Sequence, residues 1–456
     1  MLAISTSAFA GGNTKITAKP TPQYIEQTNS LIVKYATPQN ATIQSEQIST
    51  LRAQALTSTG QHFGLSLRTA RTTATGAQVM KLDKKVSLSE AASIAAELKK
   101  ADPSIEYAEP DQFLHILATP NDTYYSRQWD LYESTGGLRA DTAWASSTGT
   151  GVVVAVIDTG YRPHADLAAN IVAGYDFISD TTVANDGGGR DSSPLDPGDW
   201  TAANECYSGS PASNSSWHGT HVAGTIAAIT NNAKGVAGIA YGAKVQPVRA
   251  LGKCGGLTSD IADAITWASG GTVTGVPANA TPARVINMSL GGSGTCSTTL
   301  QRAITSARSR NTVVVVAAGN ENTNASSSNP ANCSGVVTVA ATDRYGSRAP
   351  YSNYGSIVTV AAPGGDMSSA ATDGILSTLN SGTTTPGTDN YAYYQGTSMA
   401  TPHVAAAVAL ILAKAPTLTP DQVKSILTST ARSFPGTCSG CGAGIVDATA
   451  AVAAAK

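Results

Sequence analysis

After about residue 119, continuous apolar runs alternate with segments of helical pattern. Residues 151–157 (GVVVAVI) are mostly β-branched, which is typical of a strand buried on both faces. Similar runs occupy residues 244–250, 284–288, 312–317, 336–341 and 357–361. Helical stretches occupy residues 218–229, 259–268, 298–308, 398–412 and 421–430. This alternation predicts an α/β fold with a doubly wound, mostly parallel sheet.

The preceding segment, from about residue 24 to residue 117, predicts a small α+β unit. Its strand candidates are residues 31–35, 79–82 and 105–111, and an amphipathic helix is expected at 89–100. All six cysteines of the chain lie after this segment. The change in pattern and composition places a domain boundary near residue 118.

The first ten residues end in Ala8-Phe9-Ala10, a small-x-small motif like a signal-peptide cleavage site. These ten residues lack the basic start and most of the apolar core of a complete signal peptide. We therefore predict a signal-peptide remnant, with a short disordered N-terminus as the alternative. We therefore expect a secreted protein with a remnant at 1–10, an N-terminal unit at 11–117 and a main domain at 118–456.

Charged residues make up 13% of the chain, and the formal net charge is -2. Soluble domains usually carry about 25% charged residues, so this composition suits a tightly packed secreted enzyme. A near-neutral chain gives no electrostatic argument for nucleic acid or an anionic membrane, and no apolar run approaches a transmembrane helix. We expect a monomer that binds neither.

Six cysteines in a secreted chain indicate disulfides, although fifteen pairings are possible. The close pair Cys438 and Cys441 could by itself serve redox or zinc chemistry. The chain has no second CxxC to complete a four-cysteine zinc site. A small disulfide loop between these two cysteines is therefore favoured.

Four polar residues stand where predicted elements end or begin. Asp158 follows the first strand and Asn320 follows the strand at 312–317, while His218 and Ser398 open helices. Reactive groups of doubly wound sheets collect at the carboxyl ends of the strands. Unpaired N–H groups at the start of the Ser398 helix favour a developing anion. Pro402 is expected within about the first turn of this helix, where a missing N–H costs little. A serine at the start of the helix without reactive partners would be only an N-cap. The role of Ser398 must therefore be argued from the other polar residues at the site.

Three motifs resemble the active-site signatures of the subtilases, the subtilisin-like serine proteases. They are Asp158-Thr159-Gly160, His218-Gly219-Thr220-His221 and Gly396-Thr397-Ser398-Met399-Ala400. They occur in the family's order, and the similarity covers residues 119–448. The resemblance implies a serine endopeptidase that works through an acyl-enzyme. Ser398 would be the nucleophile, His218 the base, Asp158 its orienting carboxylate, and Asn320 with the Ser398 N–H the oxyanion hole.

Other interpretations fit the residues less well. His218 and His221 lack the spacing and glutamate of a zinc-binding HExxH motif. An α/β-hydrolase would need GxSxG and the order Ser, acid, His. A serine-carboxyl peptidase would use Glu and Asp partners, against which His218 and Asn320 argue. The remaining alternative is a non-catalytic binding protein on the same scaffold.

The resemblance also implies a cleft for an extended peptide substrate. Two segments would line the primary specificity pocket: Ser289, Leu290 and Gly291 on one wall, and Ala317, Ala318 and Gly319 on the other. The segment 252–257, with Gly255 and Leu257, resembles an edge strand that pairs with a peptide. Neither wall carries an acidic residue, so a bulky apolar P1 side chain is predicted.

Structural calcium is expected because residues 229–236 resemble the calcium loop of thermitase-like subtilases. Calcium prefers oxygen ligands; these would be the side chains of Asp122, Asp166 and Asn232 and the carbonyls of Ile229, Lys234 and Val236. Ordinary turn residues are the alternative. A second calcium is expected in the acidic, Gly-rich insertion 176–199, with Asp186, Asp191 and Asp196, against the alternative of a solvated loop.

The resemblance to secreted subtilases of Gram-negative bacteria further implies sequential disulfides. The pairs would be Cys206–Cys254, Cys296–Cys333 and Cys438–Cys441. The N-terminal unit would be an inhibitory propeptide that assists folding, and its end at 114–117 would occupy the cleft in cis as a product-like peptide. The chain is thus expected to be a zymogen that processes itself.

Overall fold

The computed structural model describes residues 27–36, 45–112 and 119–456, with the backbone alone at 45–49. The chain divides into two units, residues 1–116 and 117–456. The predicted signal remnant and the predicted product-like segment at 114–117 lie outside the described residues.

The N-terminal unit contains a four-stranded antiparallel sheet in the order β2-β3-β1-β4. Helix α2 is capped by the Ser87 hydroxyl, which accepts from the Glu90 N–H at 3.1 Å, and it buries Ile94 and Leu98 in the core of this unit. In chain order the elements are β1 (Gln27–Tyr35), α1 (Ser45–Phe63), β2 (Leu67–Thr72), β3 (Gln78–Ser87), α2 (Leu88–Ala101) and β4 (Ile105–Pro110).

The larger unit begins with short helices and continues with alternating strands and helices. Its helices are α3 (Trp129–Tyr132), α4 (Ala140–Ala143), α5 (Thr181–Ala184), α6 (His218–Ala227), α7 (Thr258–Ala268), α8 (Thr298–Ser309), α9 (Thr397–Lys414), α10 (Pro420–Thr430) and α11 (Ala448–Ala454). Its strands are β5 (Val153–Asp158), β6 (Tyr175–Asp176), β7 (Lys244–Arg249), β8 (Val285–Met288), β9 (Gly292–Ser293), β10 (Val313–Ala317), β11 (Ser328–Asn329), β12 (Val337–Thr342), β13 (Val360–Pro363), β14 (Ile375–Asn380) and β15 (Asp389–Tyr394).

The main sheet has seven strands within the described residues, in the order β13-β12-β10-β8-β5-β7-β6, and its neighbours are parallel. Successive side chains of β10 enter different cores. Val313 and Val315 pack in the core that contains α6 and α9, whereas Val314 and Val316 pack in the core that contains α7 and α8. A strand with both faces covered needs apolar residues throughout. The predicted doubly wound α/β fold is therefore confirmed.

Helix α9 runs through the first of these cores. Its residues are buried from Thr397 to Leu412, except for the partly exposed Ser398. Within the part of the chain that the structure describes, α9 is long and apolar enough to cross a membrane, although the sequence analysis expected no such run. Since 83% of this helix is buried inside the unit, its apolar side chains are accounted for by the core.

Pro402 lies inside α9, in its second turn. A proline lacks the N–H that would bond the carbonyl four residues earlier, which here belongs to Ser398. The Ser289 hydroxyl donates to that carbonyl instead, at 2.8 Å. The end of β8 thus holds the start of α9 where the helix cannot complete its own hydrogen bond.

Candidate active site

Asp158 and His218 are brought together by the end of β5 and the start of α6. The fully buried Asp158 carboxylate accepts from His218 Nδ1 at 2.8 and 2.9 Å. A carboxylate only accepts, so Nδ1 carries the proton and Nε2 is left as the basic nitrogen. Gly219 allows this approach, because a Cβ there would lie 2.1 Å from the Gly160 carbonyl oxygen.

The electrostatic surroundings of His218 favour its protonated form. Its side chain is 21% exposed. Burial lowers the pKa of His218, but the Asp158 carboxylate outweighs this and, with smaller contributions from Asp199 and Asp196, raises the pKa above 6.5. A histidine in this setting accepts a proton readily, as a general base must.

Ser398 is the second residue of α9, and its hydroxyl lies at the end of β8. The hydroxyl donates to the Ser289 main-chain carbonyl at 3.2 Å. Ser289 and His218 line the same cavity of about 350 Å³, so the Ser398 hydroxyl is bonded to a residue that borders the cavity beside His218. The hydrogen bonds of a catalytic serine often tighten only when substrate is bound.

Two hydrogen-bond donors face the space beside Gly396. Asn320 Oδ1 accepts from the Thr397 N–H at 2.8 Å and from its hydroxyl at 2.9 Å, which fixes the amide with Nδ2 outward. Neither Asn320 Nδ2 nor the Ser398 N–H has a partner among the described residues. A Cβ built on Gly396 would lie 3.7 Å from the former and 3.6 Å from the latter. The two donors therefore border one small space, as an oxyanion site requires.

The two predicted walls of the specificity pocket follow neighbouring strands, since β8 pairs with β10. Ser289, Ala317 and Ala318 are buried, Leu290 and Gly319 are partly buried, and Gly291 is exposed. The sequence analysis overlooked Glu321. Its Oε2 accepts from Asn353 Nδ2 at 2.7 Å. The same oxygen would lie 2.7 Å from a Cβ built on Gly319. A carboxylate therefore lies against one wall.

The predicted edge strand at 252–257 is a tight turn. Gly252 and Gly255 exchange main-chain hydrogen bonds of 2.9 and 3.1 Å, and Cys254 has a left-handed backbone with φ of 64°. Leu257 is exposed and precedes α7. The main-chain groups of Gly255 are thus already paired, which sequence pattern alone did not indicate.

The predicted calcium ligands gather around residues 229–236. The Asp122 carboxylate accepts from two main-chain N–H groups of this loop, at 2.9 and 3.3 Å. Asp166 accepts from Asn232 Nδ2 at 2.6 Å and from the Val236 N–H at 2.9 Å. Both carboxylates are buried, and no described cationic side chain forms an ion pair with either. Burial raises the pKa of both.

The oxygens of this loop differ in their availability. The carbonyls of Ile229, Lys234 and Val236 accept no hydrogen bond from any described residue, which suits metal ligands. The Asn232 side-chain oxygen instead accepts from the Lys234 N–H at 2.8 Å. Two buried carboxylates without an ion-pair partner, together with three carbonyls that accept no hydrogen bond, fit a hard cation. The Asn232 side chain differs from the prediction, because its oxygen is already bonded.

The three residues expected to hold a second calcium, Asp186, Asp191 and Asp196, have separate partners in the structure. Asp186 pairs with Arg249 at 2.9 Å, and Asp191 Oδ1 accepts from the Ser193 N–H at 2.6 Å. Asp196 accepts from the Thr159 hydroxyl at 2.7 Å, and burial raises its pKa to about 7. Over the described residues, no three acidic, histidine or cysteine side chains cluster as a metal site.

Three disulfides connect parts of the larger unit: Cys206–Cys254, Cys296–Cys333 and Cys438–Cys441. These are the pairs that the resemblance implies. The first joins the segment that follows the insertion to the tight turn at 252–255, and both of its cysteines line the cavity beside His218.

Comparison with known proteins identifies relatives for most of the chain. A family model described as the subtilase family matches residues 149–444. An extracellular protease of Xanthomonas campestris pv. campestris is 60% identical over 393 residues, covering 86% of this chain and 66% of the relative. An extracellular basic protease of Dichelobacter nodosus is 44% identical over 434 residues, covering 92% and 70%. The chain therefore spans about two thirds of the length of these relatives.

A solved structure has the same fold. A protease from Pseudoalteromonas arctica shares 66% sequence identity with this chain and aligns with a TM-score of 0.74. The alignment covers 74% of this chain and 100% of that one.

Proposed function

This chain belongs to the subtilase family of serine endopeptidases, and from that premise we propose that it is a secreted, self-processing enzyme that cleaves peptide bonds through an acyl-enzyme on Ser398. The observation that carries the proposal is that the Asp158–His218 pair shares a cavity with Ser289, whose main-chain carbonyl accepts from the Ser398 hydroxyl. Ser398 stands at a helix N-terminus, where its own N–H and Asn320 Nδ2 border one small space. The extracellular proteases related to this chain support secretion.

The proposed reaction has two halves, and His218 acts in each half first as a base and then as an acid. His218 Nε2 takes the proton of the Ser398 hydroxyl as its oxygen attacks the substrate carbonyl carbon. The new oxyanion accepts hydrogen bonds from Asn320 Nδ2 and the Ser398 N–H. His218 then gives its proton to the leaving amine, and the peptide C–N bond breaks. Water repeats the sequence on the acyl-enzyme and releases the acid, while Asp158 stabilises the imidazolium in both halves.

Self-processing is tested by the intact mass of the purified protein. The wild type is expected to lose the chain before about residue 119, whereas Ser398→Ala keeps it. Full-length wild type that is folded and stays uncut would contradict self-cleavage. Loss of the same segment from the Ser398→Ala variant would show that another protease removes it.

We propose a bulky apolar P1 side chain, because Ala317 and Ala318 give one wall of the pocket small apolar side chains. The Glu321 carboxylate opposes this proposal, although Asn353 already engages one of its oxygens. A peptide library with varied P1 tests it, with Glu321→Gln as the matched variant. If the wild type cleaves mainly after Arg or Lys, the proposed apolar preference is wrong. If that preference for Arg or Lys disappears in Glu321→Gln, Glu321 is the residue that selects P1.

We propose one structural calcium, held by Asp122, Asp166 and the carbonyls of Ile229, Lys234 and Val236. The bound cation would neutralise two buried carboxylates, which otherwise repel each other. Chelation should therefore speed thermal inactivation. Asp166→Asn should inactivate faster in calcium and respond less to chelator, whereas Asp191→Asn, in the insertion, should behave as wild type. Equal inactivation rates with and without calcium would refute the site.

A further inference from the structure

The cavity beside His218 contains a carboxylate for which the proposed reaction has no use. The cavity, of about 350 Å³, is bordered by Thr159, Ser216, Gly252 and the Cys206–Cys254 disulfide. Asp199, from the insertion, is the acidic residue among the residues that line it. The space is comparable to a small ligand pocket, so one long substrate side chain has room to enter.

Asp199 is bonded only to neutral donors within the described part of the chain. Its Oδ1 accepts from the Ser216 N–H at 2.6 Å and its Oδ2 from the Ser216 hydroxyl at 2.7 Å. A carboxylate offers about four acceptor positions, so the group can still accept from a ligand. Asp199 is partly exposed and therefore reachable from the cavity.

The basic groups nearby have other partners. Lys253, next to the cavity residue Cys254, pairs with Glu205 at 2.7 Å and lies 3.7 Å over the Trp200 ring. Arg162 donates to the Asp196 main-chain oxygen at 3.0 Å. No described cation forms an ion pair with Asp199, so the cavity presents an uncompensated negative charge.

The position of the cavity determines which substrate residue reaches it. Successive side chains of an extended peptide point to opposite sides. With P1 between the walls at 289–291 and 317–319, the side chain of the preceding residue, P2, would point away from those walls, and His218 with the cavity beside it lies next to Ser289. The Asp199 charge is felt at the reaction centre: burial lowers the pKa of His218, whereas the carboxylates of Asp158 and Asp199 raise it.

We propose that Asp199 selects peptide substrates with a basic side chain at P2. The inference rests on the proposed endopeptidase function and adds a substrate class to it. A guanidinium or ammonium group at P2 would fill the remaining acceptor positions of Asp199, whereas a neutral side chain would leave the charge unpaired.

The test compares two peptides that differ only in having arginine or its neutral isostere citrulline at P2. A hydrogen bond to a charged group exceeds a neutral one enough for about a fivefold to tenfold preference. We expect the wild type to cleave the arginine peptide with a kcat/KM higher by that factor. The preference should shrink in 1 M salt, where the screening length falls to about 3 Å.

Variants assign the preference to its source. Asp199→Asn keeps an acceptor for the Ser216 N–H, and its arginine-to-citrulline ratio should fall to about one; Asp199→Ser is the second variant if the first does not fold. Asp191→Asn is the matched control, because Asp191 also belongs to the insertion but is exposed and does not line the cavity, and it should keep the wild-type ratio. Using the ratio cancels any general loss of rate.

Three results would overturn the inference: a wild-type ratio near one, a ratio that survives in both Asp199 variants, or a ratio abolished by Asp191→Asn. Labelling of the same preparations with a fluorophosphonate separates this failure from failure of the proposed function. A labelled enzyme that cleaves both peptides equally contradicts only the P2 selection, whereas a folded protein that neither labels nor cleaves contradicts the endopeptidase itself.

Discussion

The hydrogen bond from the Ser289 hydroxyl to the Ser398 carbonyl should contribute to the free energy of unfolding, because Pro402 has no N–H with which to bond that carbonyl. Ser289→Ala removes that 2.8 Å bond and also the 3.0 Å bond from Asn287 Nδ2 to the Ser289 hydroxyl. Each buried polar group left unpaired costs about 1–3 kcal/mol. With two groups left unpaired, we therefore expect the free energy of unfolding to fall by about 2–6 kcal/mol.

Pro402→Ala should relieve part of this loss. Alanine supplies the N–H that α9 lacks, so the Ser398 carbonyl gains a partner within its own helix. The cost of Ser289→Ala should then be smaller by about 1 kcal/mol, the net value of one hydrogen bond. Asn287 Nδ2 stays unpaired in both backgrounds, so its contribution cancels in the comparison.

A double-mutant cycle measures this coupling. The four proteins are made in a His218→Ala background, which prevents self-digestion, and their unfolding in denaturant is followed by tryptophan fluorescence. Thr225→Val combined with Pro402→Ala is the control, because the Thr225 hydroxyl donates to the His221 carbonyl within α6. Independent sites add within about 0.3–0.5 kcal/mol. A Ser289–Pro402 coupling within that range would refute the account of how β8 holds the start of α9.

Three further predictions concern the reaction and the disulfides. The kcat/KM should fall on the acid side, because His218 must be neutral to accept a proton; burial lowers the pKa of His218, but the Asp158 carboxylate raises it above that of an ordinary histidine, and a pH profile whose acid limb lies below the ordinary histidine range would contradict the role of that carboxylate. Asn320→Ala should lower kcat by about 10²- to 10³-fold with little change in KM, and steady-state kinetics showing the loss only in KM would argue against an oxyanion donor. Replacing Cys296 and Cys333, 37 residues apart, by serine should destabilise by about 4 kcal/mol, more than twice the loss from the Cys438–Cys441 pair, only three residues apart; equal losses in chemical unfolding would contradict that ranking.

The main sheet was predictable because each of its longer strands is buried on both faces and must be apolar throughout. The α2 helix was predictable for the same kind of reason, since its Ser87 cap and apolar face are local features. Helix α1 and strand β2 were missed. Strand β2 is almost wholly exposed and therefore has no apolar alternation.

The parts of the site that the sequence did not predict depend on contacts between distant segments. The acidic insertion suggests calcium when read alone, but β7 supplies Arg249 to Asp186. Glu321 follows Asn320 directly, yet its position against Gly319 depends on Asn353. The turn at 252–255 is closed by hydrogen bonds between glycines, which carry no side-chain signal.

The central claim is that Ser398 is a nucleophile activated by His218. The most direct measurement is covalent labelling by a fluorophosphonate, followed by peptide mass mapping of the labelled protein. The account predicts one adduct, on Ser398, that forms much more slowly in folded His218→Ala and is absent from Ser398→Ala. An adduct on another residue, or labelling of folded His218→Ala at the wild-type rate, would contradict it.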